Sequence, residues 1–331
     1  MSAKHSNISI FVPHIGCPNM CSFCNQRHIT GIHYTPHASD VIDAVRKATT
    51  SKNYDPETTE IAFFGGSFTA INRNYMIELL KTASVFVNNG LVCGIRVSTR
   101  PDAVDEEVLE ILKSYGVTSI ELGAQSLNDR VLRANNRGHT AKDVKKASEL
   151  IKAFGFSLGL QMMTGLYRDT DEHAIKTAEE IIELKPDTVR IYPTIVLKDT
   201  DLAALYSDNK YKPQTLEDAI NLCAKLLIMF KQADINVIRL GLHSIEKDAY
   251  MAGPWHPAFS ELCQSKIYLS KALEVLKTQG MYTIYVSKSA VSKMIGQGRS
   301  NLVYLKNLGF ECTVKPNNRL DDYQIIAERR I

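Results

Sequence analysis

Three cysteines, Cys17, Cys21 and Cys24, stand in the loop GCPNMCSFCNQ with C-x3-C-x2-C spacing. Three thiolates suffice to hold a cubane iron–sulfur cluster in which one iron keeps no protein ligand and is free for inner-sphere chemistry. A second chemistry fits the same loop. His28 follows Cys24 by four positions, and three cysteines with one histidine would close a tetrahedral zinc site. Inert buried thiols are the third reading. Phe23, just before the last cysteine, either packs against the protein or shelters the planar base of a cofactor.

Further residues with chemical potential sit where short apolar runs end. Gly65-Gly66-Ser67-Phe68-Thr69 follows one such run, and two glycines let a backbone approach a ligand without a Cβ in the way. Ser98 and Arg100 close VSTR; Glu121 and Gln125 lie in IELGAQS; Gln161 interrupts GLQMMTGL. Polar side chains there must pair with one another's neighbours or face a polar ligand.

The elements that must position them are strands alternating with helices. Runs at Ile8–Val12, Ile61–Phe64, Leu91–Val97, Thr118–Leu122, Phe156–Met162 and Thr188–Tyr192 read as buried strands. Helical spacing lies between them, as in Ile77, Leu80, Ala83 and Val87, or Val144, Ala147, Ile151 and Phe154. Six (βα) units predict an α/β fold with a parallel sheet, doubly wound or barrel-like. In such folds the carboxyl ends of strands carry the site. After Tyr192 the rhythm changes: Leu216, Ile220, Cys223, Leu227 and Phe230 predict a helix, Ile235–Leu240 a strand and Ala258–Thr278 a long helix. Met281–Ile331 is mixed. The boundary is placed near residue 200, between a 1–200 core and a 201–331 C-terminal part.

Composition limits the class. The 331 residues are 44% hydrophobic and 23% charged, enough for a substantial core. A net charge of +3 is too near balance to indicate nucleic acid, and no basic N-terminal arm is evident. Seven cysteines are odd in number and too sparse for a disulfide framework. No apolar run approaches the roughly 18 residues of a membrane helix, and the N-terminus does not read as a signal peptide. A cytoplasmic protein with no membrane partner is expected. Cys93, Cys223 and Cys312 fall in apolar surroundings and are expected in the core.

The C-x3-C-x2-C loop with an aromatic before its third cysteine resembles the signature of the radical S-adenosylmethionine (radical SAM) superfamily. The resemblance implies a partial (β/α)6 TIM-like barrel with a small α+β C-terminal domain. It also implies a [4Fe–4S] cluster on Cys17, Cys21 and Cys24, and SAM bound at the open iron and cleaved reductively to a 5′-deoxyadenosyl radical. Phe23 would shelter SAM, and Gly65, Gly66 and Ser67 would offer backbone groups to its amine. Ser98, Gln125, Arg137 and Gln161 match by motif the remaining SAM-contacting positions of the related coproporphyrinogen dehydrogenases. Ser98 stands for an acidic residue there and Gln161 for an aspartate, whereas Gln125 and Arg137 keep the side-chain type. Arg137 has its own rationale, because a planar guanidinium suits a carboxylate.

Ser67, RIYPT at 190–194 and GPWHPAFSEL at 253–262 further resemble the group containing the Elongator catalytic subunit, whose acetyltransferase domain is not expected in these residues. That likeness implies hydrogen abstraction from a tRNA nucleoside and an electron donor such as flavodoxin or ferredoxin. The rivals are a small metabolite or tetrapyrrole substrate, and a zinc-stabilised binding module without radical chemistry. Tyr192, Arg239, His243, Trp255, His256 and Cys263 are candidates for the barrel mouth.

Overall fold

The computed structural model describes residues 5–12, 17, 20–25, 34–242 and 245–330. Its centre is a sheet of seven parallel strands: β1 (Ser6–Val12), β2 (Thr59–Gly65), β3 (Gly94–Thr99), β4 (Val117–Gln125), β5 (Ser157–Thr164), β6 (Thr188–Pro193) and, beyond a short β7 (Val196–Leu197), β8 (Asn236–Leu240). The first six are neighbours in chain order, as six right-handed βα units require, and β8 extends the sheet beside β6. The strand expected over 235–240 is thus the seventh of the same sheet.

The sheet is curled. In a flat sheet β2 and β6, four places apart, would be separated by about 19 Å. The Arg190 guanidinium of β6 nevertheless lies 5.2 Å from the centre of the Phe64 ring of β2. The concave face carries Glu60, Arg96, Glu121, Gln161 and Arg190. The convex face buries Ile61, Phe63, Ile95, Val97, Ile120 and Leu160 among the helices. The result is a half-barrel of the partial TIM-like kind.

Helices between the strands start at polar caps: Asn72, Asp105, Thr140, Thr170 and Thr215 each accept a backbone N–H of the first turn. The helix Ala141–Ala153 buries the expected Val144, Ala147 and Ile151. In Arg73–Asn88 the buried stripe is Met76, Leu79, Leu80 and Ala83, so Ile77 and Val87 lie at its margin instead of its centre. The third strand begins at Gly94, because Leu91 folds back to give its N–H to Phe86 at the end of that helix. Cys93 is consequently exposed, which corrects its expected core position; Cys223 is fully buried and Cys312 half-buried.

The chain then forms β9 (Tyr250–Ala252), paired with β7, and the helix Phe259–Val275. Three further strands make a separate sheet of order β11-β10-β12: β10 (Gly280–Val286), β11 (Phe310–Pro316) and β12 (Ile325–Arg329). They have their own apolar cluster around Tyr268, Ile284, Val286, Met294 and Leu305. Among the described residues no helix is long and apolar enough to cross a membrane.

One buried acid opposes the fold. Asp169, in the turn after β5, has a carboxyl that is 1% exposed; His173 Nδ1 stands 3.8 Å from Oδ1, and among the described residues neither oxygen makes a well-formed hydrogen bond. Burial pushes its pKa to about 7, against the Thr170 N–H and with the help of the neighbouring Asp171. A folded pKa above the unfolded one means a cost that grows as pH rises from about 4 to about 7 and is complete above that, on the order of 2–4 kcal/mol. Asp169→Asn is therefore expected to raise the melting temperature at pH 8 far more than at pH 5. Equal shifts at the two pH values would refute this account.

Candidate active site

The cysteine loop is fastened from outside itself. Ser22 gives its N–H to the Asn135 carbonyl (3.1 Å) and its hydroxyl to Asn135 Oδ1 (2.9 Å), while its own carbonyl accepts the Leu202 N–H (2.7 Å). Asn135 is wholly buried and spends its Nδ2 on the carbonyls of Val131 and Tyr167. Cys24 turns back to Cys21 through an N–H···O bond of 3.0 Å. Asn135 escaped the sequence reading because a lone polar residue after a helix has no periodic signal; its place in NNRGHT, two residues before Arg137, is the one clue.

Arg137 is 6% exposed. Its Nη1 donates to Cys21 Sγ at 2.9 Å and its Nη2 to the Gly123 carbonyl at 2.6 Å, while Nε has no partner among the described residues. Arg100 is clamped by Asp102 through Nε and Nη2 (2.9 and 2.8 Å), which leaves Nη1 unmatched. Both cations act on the thiols. Burial raises Cys17 above the ordinary thiol value against the Ser67 N–H, Arg100 and Arg137, and burial with the two neighbouring thiols pushes Cys24 up to about 12. Thiols raised in this way, Cys17 and Cys24, ionise only with strong positive charge beside them, which the irons of a cluster would supply. Among the described residues no three His, Cys, Asp or Glu side chains converge on the position of a single ion. A cubane asks for something else, one thiolate at each of three corners.

The remaining sequence candidates gather at the same carboxyl ends. Ser67 is 1% exposed, shares its hydroxyl with Thr99 (2.8 Å) and accepts the Arg100 N–H (3.2 Å). Gly65 is needed for the approach of β1: its φ is +113°, and a Cβ there would lie 2.7 Å from the Val12 carbonyl oxygen, which also receives the Gly66 N–H. Gln125 lies at a register irregularity of β4 with φ +63°, its Oε1 buried and unmatched. Ser98 Oγ and Thr194 Oγ1 are also buried without partners among the described residues. Five polar atoms with no partner among the described residues, on Ser98, Arg100, Gln125, Arg137 and Thr194, thus cluster by topology at the strand ends that carry the cysteines. Each unmatched buried group costs about 1–3 kcal/mol, so this end of the barrel fits a polar ligand better than emptiness.

Gln161 donates Nε2 to Glu121 Oε2 (3.1 Å), a pairing that fixes the amide, since a carboxylate can only accept. Phe23 packs with Leu202, Ala203 and Tyr211. Tyr192 is raised above the ordinary phenol value by burial, against the pull of Arg190. Arg239 donates to the Gly241 carbonyl. Trp255 packs against Ile195, Leu197, Ile245 and Ala249; His256 Nδ1 accepts the Ala258 N–H before the long helix; Cys263 is fully buried in the main core. His28 and His243 lie outside the described residues.

A curled parallel half-barrel with three thiols and two guanidiniums at the carboxyl ends of its strands defines one class of protein. The chain belongs to the radical SAM superfamily, whose family model matches residues 11–181, and the Radical_SAM C-terminal domain matches residues 186–269. Members of this family hold a [4Fe–4S] cluster and SAM, and the donor set described here fits both. Among curated proteins the chain is similar to Elongator complex protein 3 of Bos taurus (28% identical over 256 residues, 66% of this chain and 47% of that protein). It is also similar to the tRNA uridine(34) acetyltransferase of Methanocaldococcus jannaschii (35% over 129 residues, 38% and 24%). It thus spans about half the length of the first of these relatives and about a quarter of the second. Among solved structures, Elp3 of Methanocaldococcus infernus lacking residues 1–46 superposes with a TM-score of 0.64 at 19% identity, over 82% of this chain and 64% of that one. That likeness speaks to the fold.

Proposed function

We propose that the chain is a radical SAM enzyme that acts on a nucleoside of tRNA. The observation that carries the radical SAM part is the trio Cys17, Cys21 and Cys24 beside Arg137, ringed by unmatched polar atoms. When bound, the cluster and SAM supply a 5′-deoxyadenosyl radical able to abstract hydrogen from carbon. In this reading Cys17, Cys21 and Cys24 hold the cluster, Arg137 receives the SAM carboxylate on its unmatched Nε, and Gln125 and Gln161 meet the ribose. Ser98 and the Gly65–Ser67 backbone meet the remaining polar groups of SAM. Arg100, tied to Asp102, contributes fixed positive charge beside the thiolates. The half-barrel walls limit water, and a low-potential donor such as flavodoxin or ferredoxin provides the electron.

The tRNA part is supported by the relatives, one of which is named for uridine 34 of tRNA. The test is anaerobic reconstitution with iron and sulfide, then SAM and dithionite, with 5′-deoxyadenosine measured with and without unmodified tRNA transcript. Product that rises and saturates with tRNA is expected. No 5′-deoxyadenosine under any condition rejects the enzyme; product indifferent to tRNA but raised by a tetrapyrrole or small metabolite rejects the substrate.

A further inference from the structure

The family matches end at residue 269, and the electrostatics change shortly after. From Leu276 onward there are nine Lys or Arg against four Asp or Glu, a net +5, while residues 1–275 carry −2. The overall +3 conceals this division. The basic part is the unit built on β10, β11 and β12, in which two helices, Val291–Ile295 and Ser300–Asn307, connect β10 to β11.

The turn between those helices is Gly296-Gln297-Gly298-Arg299. Gly296, Gly298 and Arg299 all have positive φ (81°, 58° and 66°). A Cβ on Gly296 would come within 2.5 Å of Ser300 Oγ, whereas one on Gly298 would meet nothing within 4 Å. One glycine therefore serves the turn's closure, and the other leaves bare backbone facing open space. Asn301, 5% exposed, holds the turn from beneath: its Nδ2 lies 3.0 Å from the Ser265 carbonyl, 3.3 Å from that of Lys293 and 3.1 Å from that of Met294. Around this turn, Lys293, Arg299 and Lys306 take part in no ion pair among the described residues. On the helix that follows, Val303 and Tyr304 are 54% and 49% exposed, one turn from Arg299 and Ser300.

Unpaired cations attract any polyanion. A bare glycine turn between two helices and an exposed aromatic beside it favour a nucleic-acid strand, because phosphates can approach the backbone while a base stacks on the ring. We infer that the unit from Leu276 to Arg330 is an RNA-holding module, with the phosphodiester backbone of a single-stranded segment on Gly296–Arg299 and Lys306 and a base against Tyr304. The inference deepens the tRNA reading above and rests on it for the choice of RNA.

The test uses the full chain, with unmodified tRNA transcript and an oligouridylate as probes, over a range of salt. Arg299→Gly with Lys306→Ala keeps the left-handed backbone unstrained and is expected to weaken binding at least about tenfold, flattening the log K against log salt slope by about 1.4 for two lost phosphates. Tyr304→Ala, at a surface position, is expected to weaken it about tenfold with the slope kept. Both variants should cleave SAM without RNA as the parent does. Wild-type affinity and slope in both variants overturn the inference, as does binding to phosphatidylglycerol vesicles without binding to RNA. Binding lost in the variants, with tRNA never stimulating SAM cleavage, supports the module while rejecting the substrate; stimulation by tRNA with binding unchanged in the variants does the reverse.

Discussion

Cys21→Ala is expected to yield protein that folds, carries little iron after anaerobic reconstitution and forms 5′-deoxyadenosine only at background. Cys21 is the most buried of the trio by solvent exposure, and its sulfur is the one that Arg137 reaches at 2.9 Å. On the proposed assignment, removing it takes away one of the three thiolates that would hold the cluster, and it leaves Nη1 of a buried guanidinium without its partner. Cys223→Ala is the matched control. Cys223 is also buried but lies in the apolar core, with Thr164 its polar neighbour at 4.0 Å, so its loss is expected to cost stability and leave iron unchanged. Arg137→Lys separates charge from geometry: an ammonium keeps the charge but cannot fork between Cys21 and the Gly123 carbonyl. An activity loss of about 10–100-fold with iron retained is expected, as for other groups that support metal ligands. Iron and product at parental levels in Cys21→Ala would remove the ligand assignment, and the same levels in Arg137→Lys would remove the positioning role.

Local chemistry was legible in the sequence wherever the chemistry is local. The cysteine loop, the six alternating strands and the polar residues at strand ends are each written within a few neighbouring residues, and the fold gathers them as parallel topology requires. What was not legible depends on which strands become neighbours. Ile235–Leu240 reads as a strand, yet nothing in those residues says that it extends the main sheet beside β6. Cys93 reads as apolar because Leu91 and Val92 precede it, and only the turn closing the preceding helix turns it outward. Glu60, Arg96, Glu121 and Arg190 each interrupt an apolar strand, a signal present in four places, but their pairing depends on which strands come to lie side by side. The basic character of the last 55 or so residues is cancelled in the whole-chain charge by a slightly acidic remainder.

That interior network yields the largest expected effect on stability. Glu121, 1% exposed, receives Arg96 Nη1 at 3.1 Å, Arg190 Nη2 at 2.8 Å and Gln161 Nε2 at 3.1 Å, with Arg190 Nε also 2.8 Å away. Its neighbour Glu60 is the other anchor. Burial alone would raise Glu60, but hydrogen bonds from His5 and Thr118 and the charge of Arg96 hold it at about 2, so its contribution persists at neutral pH and is lost only as pH falls from about 4.5 toward 2. Glu121→Ala therefore harms the two arginines unequally. Arg96 keeps Glu60 at 2.8 Å, whereas Arg190 is left with the Tyr192 hydroxyl and the face of the Phe64 ring, neither of which carries a full charge. A buried cation stripped of its carboxylate is expected to cost about 3–5 kcal/mol, read from the main denaturant transition at pH 7. Glu121→Gln should fall between, because its carbonyl can still accept from Arg190 while its NH2 opposes the Gln161 donor and forces that amide to turn. Arg190→Met in the Glu121→Ala background should recover part of the loss, since the uncompensated charge goes with it. A cost below about 1 kcal/mol for Glu121→Ala, or no recovery in the double variant, would mean that water reaches this layer and that the barrel is open beneath the SAM site rather than closed by its own ion pairs.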